Sequence, residues 1–124
     1  MATSTIKQQN TTFSLEVSTL GTYQQIAANT WEKTGLKITV PSSHVYVGNI
    51  VSGWSGNGRP IGIGVNGSES MAGGMPTQSN ENENGVYSVT VFLHPGTWWL
   101  FTKRDAVGTA ANTYTFRYID LELR

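Results

Sequence analysis

The chain contains no cysteine, which excludes a disulfide framework and any thiolate metal site. Histidine is nearly as scarce: His44 and His94 are far apart and lack H-x-x-H or H-E-x-x-H spacing, so no transition-metal centre is expected. Charged residues make up only 13% of the chain, well below the usual ~25%. Eight basic residues balance eight acidic ones, and this argues against a nucleic-acid binder, which normally shows a basic excess or stripe. No apolar run is long enough to cross a bilayer. The opening MATSTIKQQNTT has no apolar h-region and so does not read as a signal peptide; a soluble protein made inside a cell is expected. At 124 residues the chain has the length of one domain with room for a real core.

Threonine, serine, asparagine and glycine take the place of the missing charge, a composition that suits an all-β protein with a hydroxyl- and amide-covered surface. Residues 1–12 are polar and unpatterned and read as a flexible N-terminal arm; residues 13–124 read as a single domain. Phe13, Leu15 and Val17 alternate with polar residues, giving a first strand that Leu20-Gly21-Thr22 is expected to break. Residues 23–31 are open between a short strand, an irregular edge and a helical turn. Leu36, Ile38 and Val40 alternate up to Pro41, and 45–53 form a longer strand in which Gly48 marks a bulge or a close approach. Ile61, Ile63 and Val65 are separated by Gly62 and Gly64. The face those glycines leave bare predicts an aromatic ring or another subunit's backbone packed against it. Residues 66–84 are polar and small, a stretch longer than the ~12–15 residues at which loops become unusual. The most apolar part follows: Tyr87 to Leu93 alternate, His94-Pro95-Gly96-Thr97 form a turn, and Trp98 to Phe101 resume. It predicts a central hairpin. The last strand, from Asn112, changes phase. Tyr114, Phe116 and Tyr118 share one parity and Ile119, Leu121 and Leu123 the other. A bulge near Tyr118–Ile119 produces such a change, as does a strand that buries both faces; the bulge is the favoured expectation. About eight short strands without a helix predict an antiparallel β-sandwich or jelly roll.

No constellation predicts catalysis, and no enzyme or cofactor is expected. Gly62-Ile63-Gly64-Val65-Asn66-Gly67 spells G-x-G-x-x-G, but a dinucleotide fingerprint needs a helix immediately after it. Gly53-Trp54-Ser55-Gly56-Asn57 lacks the last glycine of a nucleophile elbow. A triad on Ser55 would have to draw on His44 or His94 with Asp105 or Asp120. Glu81 and Glu83 lie in the long polar stretch and not on the rigid supports that glycosidase carboxylates need. A calcium site on Glu69, Glu81 or Glu83 is not required by the spacing. Asn10-Thr11-Thr12 and Asn66-Gly67-Ser68 match the glycosylation sequon and, without a signal peptide, read as chance matches.

Four tryptophans and five tyrosines could stack on sugar faces, although core and interface positions account for most such rings. Trp98 and Trp99 must point to opposite faces of their strand. Trp54 sits in a glycine-rich stretch with Asn57 and Arg59, whose polar groups would suit a polyol; these three are the candidate ligand residues. Gly62, Gly64, Trp98 and Trp99 are the candidate subunit contacts.

The run Trp31-Glu32-Lys33-Thr34-Gly35-Leu36-Lys37-Ile38-Thr39-Val40-Pro41, then Val45-Tyr46-Val47, and later Gly85-Val86-Tyr87 through Leu93-His94-Pro95-Gly96-Thr97-Trp98 resembles small β-sandwich domains of tailed-phage structural proteins: tail-fibre tips, baseplate appendages and capsid fibres. The resemblance implies a homotrimeric jelly-roll virion protein, released by lysis, whose partners are other virion proteins and a host-surface glycan. It carries over no binding residues. The alternative reading is a monomeric carbohydrate-binding module.

Overall fold

The computed structural model describes residues 11–53, 60–68, 77–78, 87–104 and 111–123. They form eight strands: β1 (Thr11–Tyr23), β2 (Glu32–Val40), β3 (His44–Ser52), β4 (Pro60–Asn66), β5 (Thr77–Gln78), β6 (Tyr87–Leu93), β7 (Gly96–Arg104) and β8 (Asn112–Leu123). Sheet A has the order β1-β8-β3-β6 and sheet B the order β2-β7-β4-β5, and all pairs are antiparallel. Apart from the step from β4 to β5, every connection leads from one sheet to the other. That alternation is the jelly-roll winding of a β-sandwich.

The winding corrects the hairpin expected over residues 85–103. β6 pairs with β3, whereas β7 pairs with β2 and β4. Gly96 opens β7 at φ 133°, a conformation glycine reaches without a Cβ penalty, and there the chain swings from one sheet to the other. In opposite sheets, the two strands both turn their apolar sides into the core: Val89, Val91 and Leu93 of β6 and Leu100 of β7 are all nearly inaccessible. Side by side in one sheet they would still need a cover.

Two further expectations change. Leu20-Gly21-Thr22 does not end the first strand; the β1–β8 register shifts between Thr19 and Gly21, so Leu20 is the extra residue of a bulge and β1 continues to Tyr23. No shift occurs at Tyr118–Ile119, where β8 keeps continuous register with both β1 and β3. Its phase change is therefore real two-facedness: Tyr114 and Phe116 enter the core, and Ile119 and Leu121 lie on the opposite face of sheet A. Thr11 and Thr12, assigned to the arm, already pair with Leu123 and Glu122. Within the stretch read as a loop, Thr77–Gln78 pairs with Val65 and Gly64.

The core between the sheets holds Ile38 and Val40 of β2, Ile50 of β3, Ile63 and Val65 of β4, and Tyr114 and Phe116 of β8, besides the β6 and β7 residues above. Burying each such side chain contributes about 1.5–3 kcal/mol before entropy is counted. One end of the core is polar. Ser52, Thr102, Arg104 and Asn112 are buried there, and the Tyr114 hydroxyl donates to Thr102 Oγ1 across the sandwich at 2.8 Å. Burial pushes the Tyr114 phenol up and keeps it a neutral donor. Residues 24–31 close over this region without regular structure. Gln25 Nε2 donates to the carbonyls of Ala27 and Thr30, and Asn29 N–H donates to Arg104 O at 2.7 Å. Glu32 anchors the same segment: its carboxylate accepts from the Tyr23 hydroxyl and from the N–H groups of Ile26 (2.8 Å) and Ala27 (2.7 Å). Burial alone would raise this carboxyl, but the three donors outweigh it and hold the group below its ordinary range.

Candidate functional site

The sandwich is open along one side, where β1 and β2 are the outer strands of their sheets. In register, Ser14, Glu16 and Ser18 of β1 share the inward face of sheet A with Asp120, Tyr118 and Phe116 of β8. Such small or charged side chains cannot fill the space between the sheets as the valines of β6 do on the far side. Leu20 and Leu36 pack against the core nearer the bulge. Beyond them lies a groove of about 170 Å³ with Ser18 and Leu20 on one wall and Lys37 to Thr39 on the other.

Three rings form its floor. Phe116 and Tyr118, two apart on β8 and so on one face, stack at 4.3 Å between centroids with 15° between planes. Tyr46 of β3 continues the ladder at 4.5 Å from Tyr118. Gly48, opposite Tyr118 in register, makes room for this arrangement. A Cβ there would overlap Arg117 O and stand 2.6 Å from Tyr118 Cα, so β3 and β8 approach more closely than any side chain allows. Carboxylates lie beside the tyrosines. Asp120 Oδ1 is 2.7 Å from His44 Nδ1, and Ser14 Oγ donates to Glu16 Oε1 at 3.1 Å. Desolvation first, then the charges of Asp120 and Glu16, push both the Tyr46 and Tyr118 phenols up. Both hydroxyls therefore stay protonated donors across the physiological range.

A second recess, about 270 Å³, lies on the outer face of sheet B beside Trp99 and is lined by Lys33, Thr34, Gly35 and Leu100. It exists because the β2–β7 register shifts between Lys33 and Lys37. Thr34 Oγ1 pins that irregularity by donating to Leu100 O at 2.9 Å and accepting from Leu36 N–H. Lys37 Nζ sits 5.3 Å from the Trp99 ring centroid, so a cation already occupies one face of that ring.

The residues singled out from sequence are scattered by the fold. Trp54, Asn57 and Arg59 lie outside the described residues, as do Ser55, Glu69, Glu81, Glu83 and Asp105. Gly62 and Gly64 are buried within the single chain. The Trp31 ring covers Gly62, its Cη2 standing 2.6 Å from the place of a Cβ. Trp98 and Trp99 take opposite faces of β7. Trp98 packs against the core and donates Nε1–H to His94 O at 2.9 Å, while Trp99 faces outward. Of the possible triad members the structure joins only His44 with Asp120, and no hydroxyl hydrogen-bonds to that imidazole among the described residues. His94 is exposed beside Phe92. Among the described residues no group of three or more histidine or carboxylate side chains could hold a metal ion. The aromatic ladder was not singled out from sequence, although the i, i+2 spacing of Phe116 and Tyr118 was visible there; placing Tyr46 beside them needed the β3–β8 register.

No family model matches the chain, and no curated protein does. Among solved structures it is similar to the carbohydrate binding module CBM6cm-2 from Cellvibrio mixtus lichenase 5A, in complex with cellotriose. The identity is 18%, covering 85% of this chain and 88% of that one, with a TM-score of 0.37. So loose an overlap transfers neither a binding site nor a ligand.

Proposed function

We propose that the protein is a non-catalytic binding domain whose groove between β1 and β2 takes a neutral carbohydrate. The observation that carries this reading is the Phe116–Tyr118–Tyr46 ladder on the floor of an open, polar-walled groove. Ring faces accept the C–H surface of a pyranose. The Glu16 and Asp120 carboxylates accept from its hydroxyls, and Ser18 and the tyrosine hydroxyls can both donate and accept. The edge of β2 adds main-chain groups at Lys37–Thr39 on the side away from β7.

The test is an NMR titration of the full chain with a panel of neutral oligosaccharides. Shifts should concentrate on Ser18, Lys37, Tyr46 and Tyr118. Tyr118→Leu, which keeps apolar volume but removes the ring, should weaken binding about 2- to 13-fold, the ~0.5–1.5 kcal/mol that aromatic geometry contributes. No shifts with any sugar, or shifts confined to other surfaces, would overturn the assignment.

A second reading follows the resemblance to tailed-phage structural proteins and makes the chain a virion component built from copies of itself and neighbouring proteins. It rests on the sequence resemblance; the apolar side chains on both faces of β8 suit assembly of any kind and do not single out a virion. Labelling purified particles with an antibody to the chain tests it, and particles that carry none of the protein would dismiss it.

A further inference from the structure

Sheet A carries a second apolar surface, facing away from the core. The β1–β8–β3–β6 register puts Leu15, Ile119, Val47 and Phe92 in one continuous row across all four strands. Leu121 and Val45 lie in the next row towards one end of the sheet. Val17 heads the row on the other side, followed by Arg117, Asn49 and Thr90. Leu15 is 79% exposed, Val17 70% and Phe92 57%. Isolated exposed apolar residues need no explanation, but a contiguous sheet of them does. The alternation rule sharpens the point. A strand with one wet face places polar residues there, whereas β8 places Ile119 and Leu121 and β3 places Val45, Val47 and Val51.

We propose that this face is covered by the same face of a second copy of the chain, in a two-fold, sheet-on-sheet pairing. Two observations choose a copy over an unrelated partner. The first is charge. Among the described residues the face carries no carboxylate and a single cation, Arg117, so beyond that one guanidinium it offers nothing for a charged partner to pair with. With the two-fold axis along the Leu15–Ile119–Val47–Phe92 row, that apolar row meets itself, while Arg117 and Asn49 of one copy lie over Leu121 and Val45 of the other, where the arginine's methylene stem covers the leucine. The two Arg117 residues then fall about 13 Å apart, four residues at ~3.3 Å each, which is beyond the ~8–10 Å Debye length. The second is area. Four strands ~4.8 Å apart and about six to eight residues long give a footprint of roughly 400–500 Å². Upright side chains raise the accessible area above that footprint, towards the ~800 Å² per partner of a standard interface. The pairing would also satisfy the isologous rule that one patch serves both partners. It is independent of whether the groove binds sugar, because the groove lies on the other face of sheet A.

The experiment is sedimentation equilibrium of the full chain from about 1 μM to 1 mM, a range that brackets weak to moderate pairing, alongside Leu15→Glu and Phe92→Glu. These two side chains stand at opposite ends of the central row and are exposed in the single copy, so the fold should survive; Val17→Lys serves if either variant does not fold. The expected result is a mass of twice 13.5 kDa that each variant shifts to the monomer, with self-association weakened at least about tenfold by a charge left in an apolar contact. Melting of the variants at monomeric concentrations should match the parent. A parent that stays monomeric throughout overturns the proposal. So does an oligomer of any order that both variants leave intact. A trimer lost in the variants would overturn the two-fold pairing.

Discussion

Gly48→Ala is the most severe single-methyl change the structure points to. Its Cβ would overlap Arg117 O and approach Tyr118 Cα to 2.6 Å. These are main-chain atoms of β8, a strand held on both sides by β1 and β3, so they cannot turn away as a side-chain tip would. The sheet must open locally at the Gly48–Tyr118 pair. Overpacking of this kind costs about 1–3 kcal/mol, and backbone neighbours put the case at the upper end. Alanine returns about 0.4–1 kcal/mol by restricting the unfolded chain. The net loss is then about 2 kcal/mol, and for a domain of this size that lowers the melting temperature by about 6–12 °C. Gly53→Ala is the control: Gly53 has ordinary φ, is exposed and has nothing within 4 Å of its added carbon, so the change should stay within about 0.5 kcal/mol. Calorimetry on both variants decides. If Gly48→Ala melts within a degree or two of the parent, the close approach of β3 and β8 is wrong, and with it the seating of Tyr118 in the groove.

Glu32→Gln should cost about 1–2 kcal/mol at neutral pH, because the N–H groups of Ile26 and Ala27 lose a charged acceptor. The folded carboxyl titrates below its unfolded value, so its contribution is full above the unfolded pKa and disappears as pH falls through the folded one. Urea melts of parent and variant should therefore converge in acid, and a gap that stays constant with pH would refute the carboxylate's role. Gly62→Val should be destabilising by about 1–2 kcal/mol through the Trp31 ring, and at least half of that should vanish in a Trp31→Ala background. Additive losses in that double-mutant cycle would mean the ring and the glycine do not act on each other.

Much of the fold was legible because strand alternation is a local property. Each run of apolar residues at period two, from Leu36–Val40 to Tyr87–Leu93, became a strand where its side chains demanded a face to bury. The glycines between Ile61 and Val65 announced a close neighbour, and Trp31 is what lies over Gly62. What the chain alone could not reveal was which strand lies beside which. Tyr87–Leu93 and Gly96–Arg104 have the local chemistry of a hairpin, yet a turn of the same residues can equally carry the chain across the core, and only the competition for cover among all eight strands selects the crossing. The bulge was likewise misplaced. Its position depends on how β1 must shift at Leu20 to keep Tyr23 against the core, a demand set by residues ninety positions away. The groove is tertiary for the same reason: Tyr46 and Tyr118 meet only through the β3–β8 register. The sequence by itself determined that the apolar residues of β8 change phase after Tyr118, since parity is written residue by residue, but the unbroken register with β1 and β3 was needed to show that this means two apolar faces and not a bulge. Only the folded sandwich decided which face became core and which was left outside it, because one chain has a single second sheet with which to cover β8.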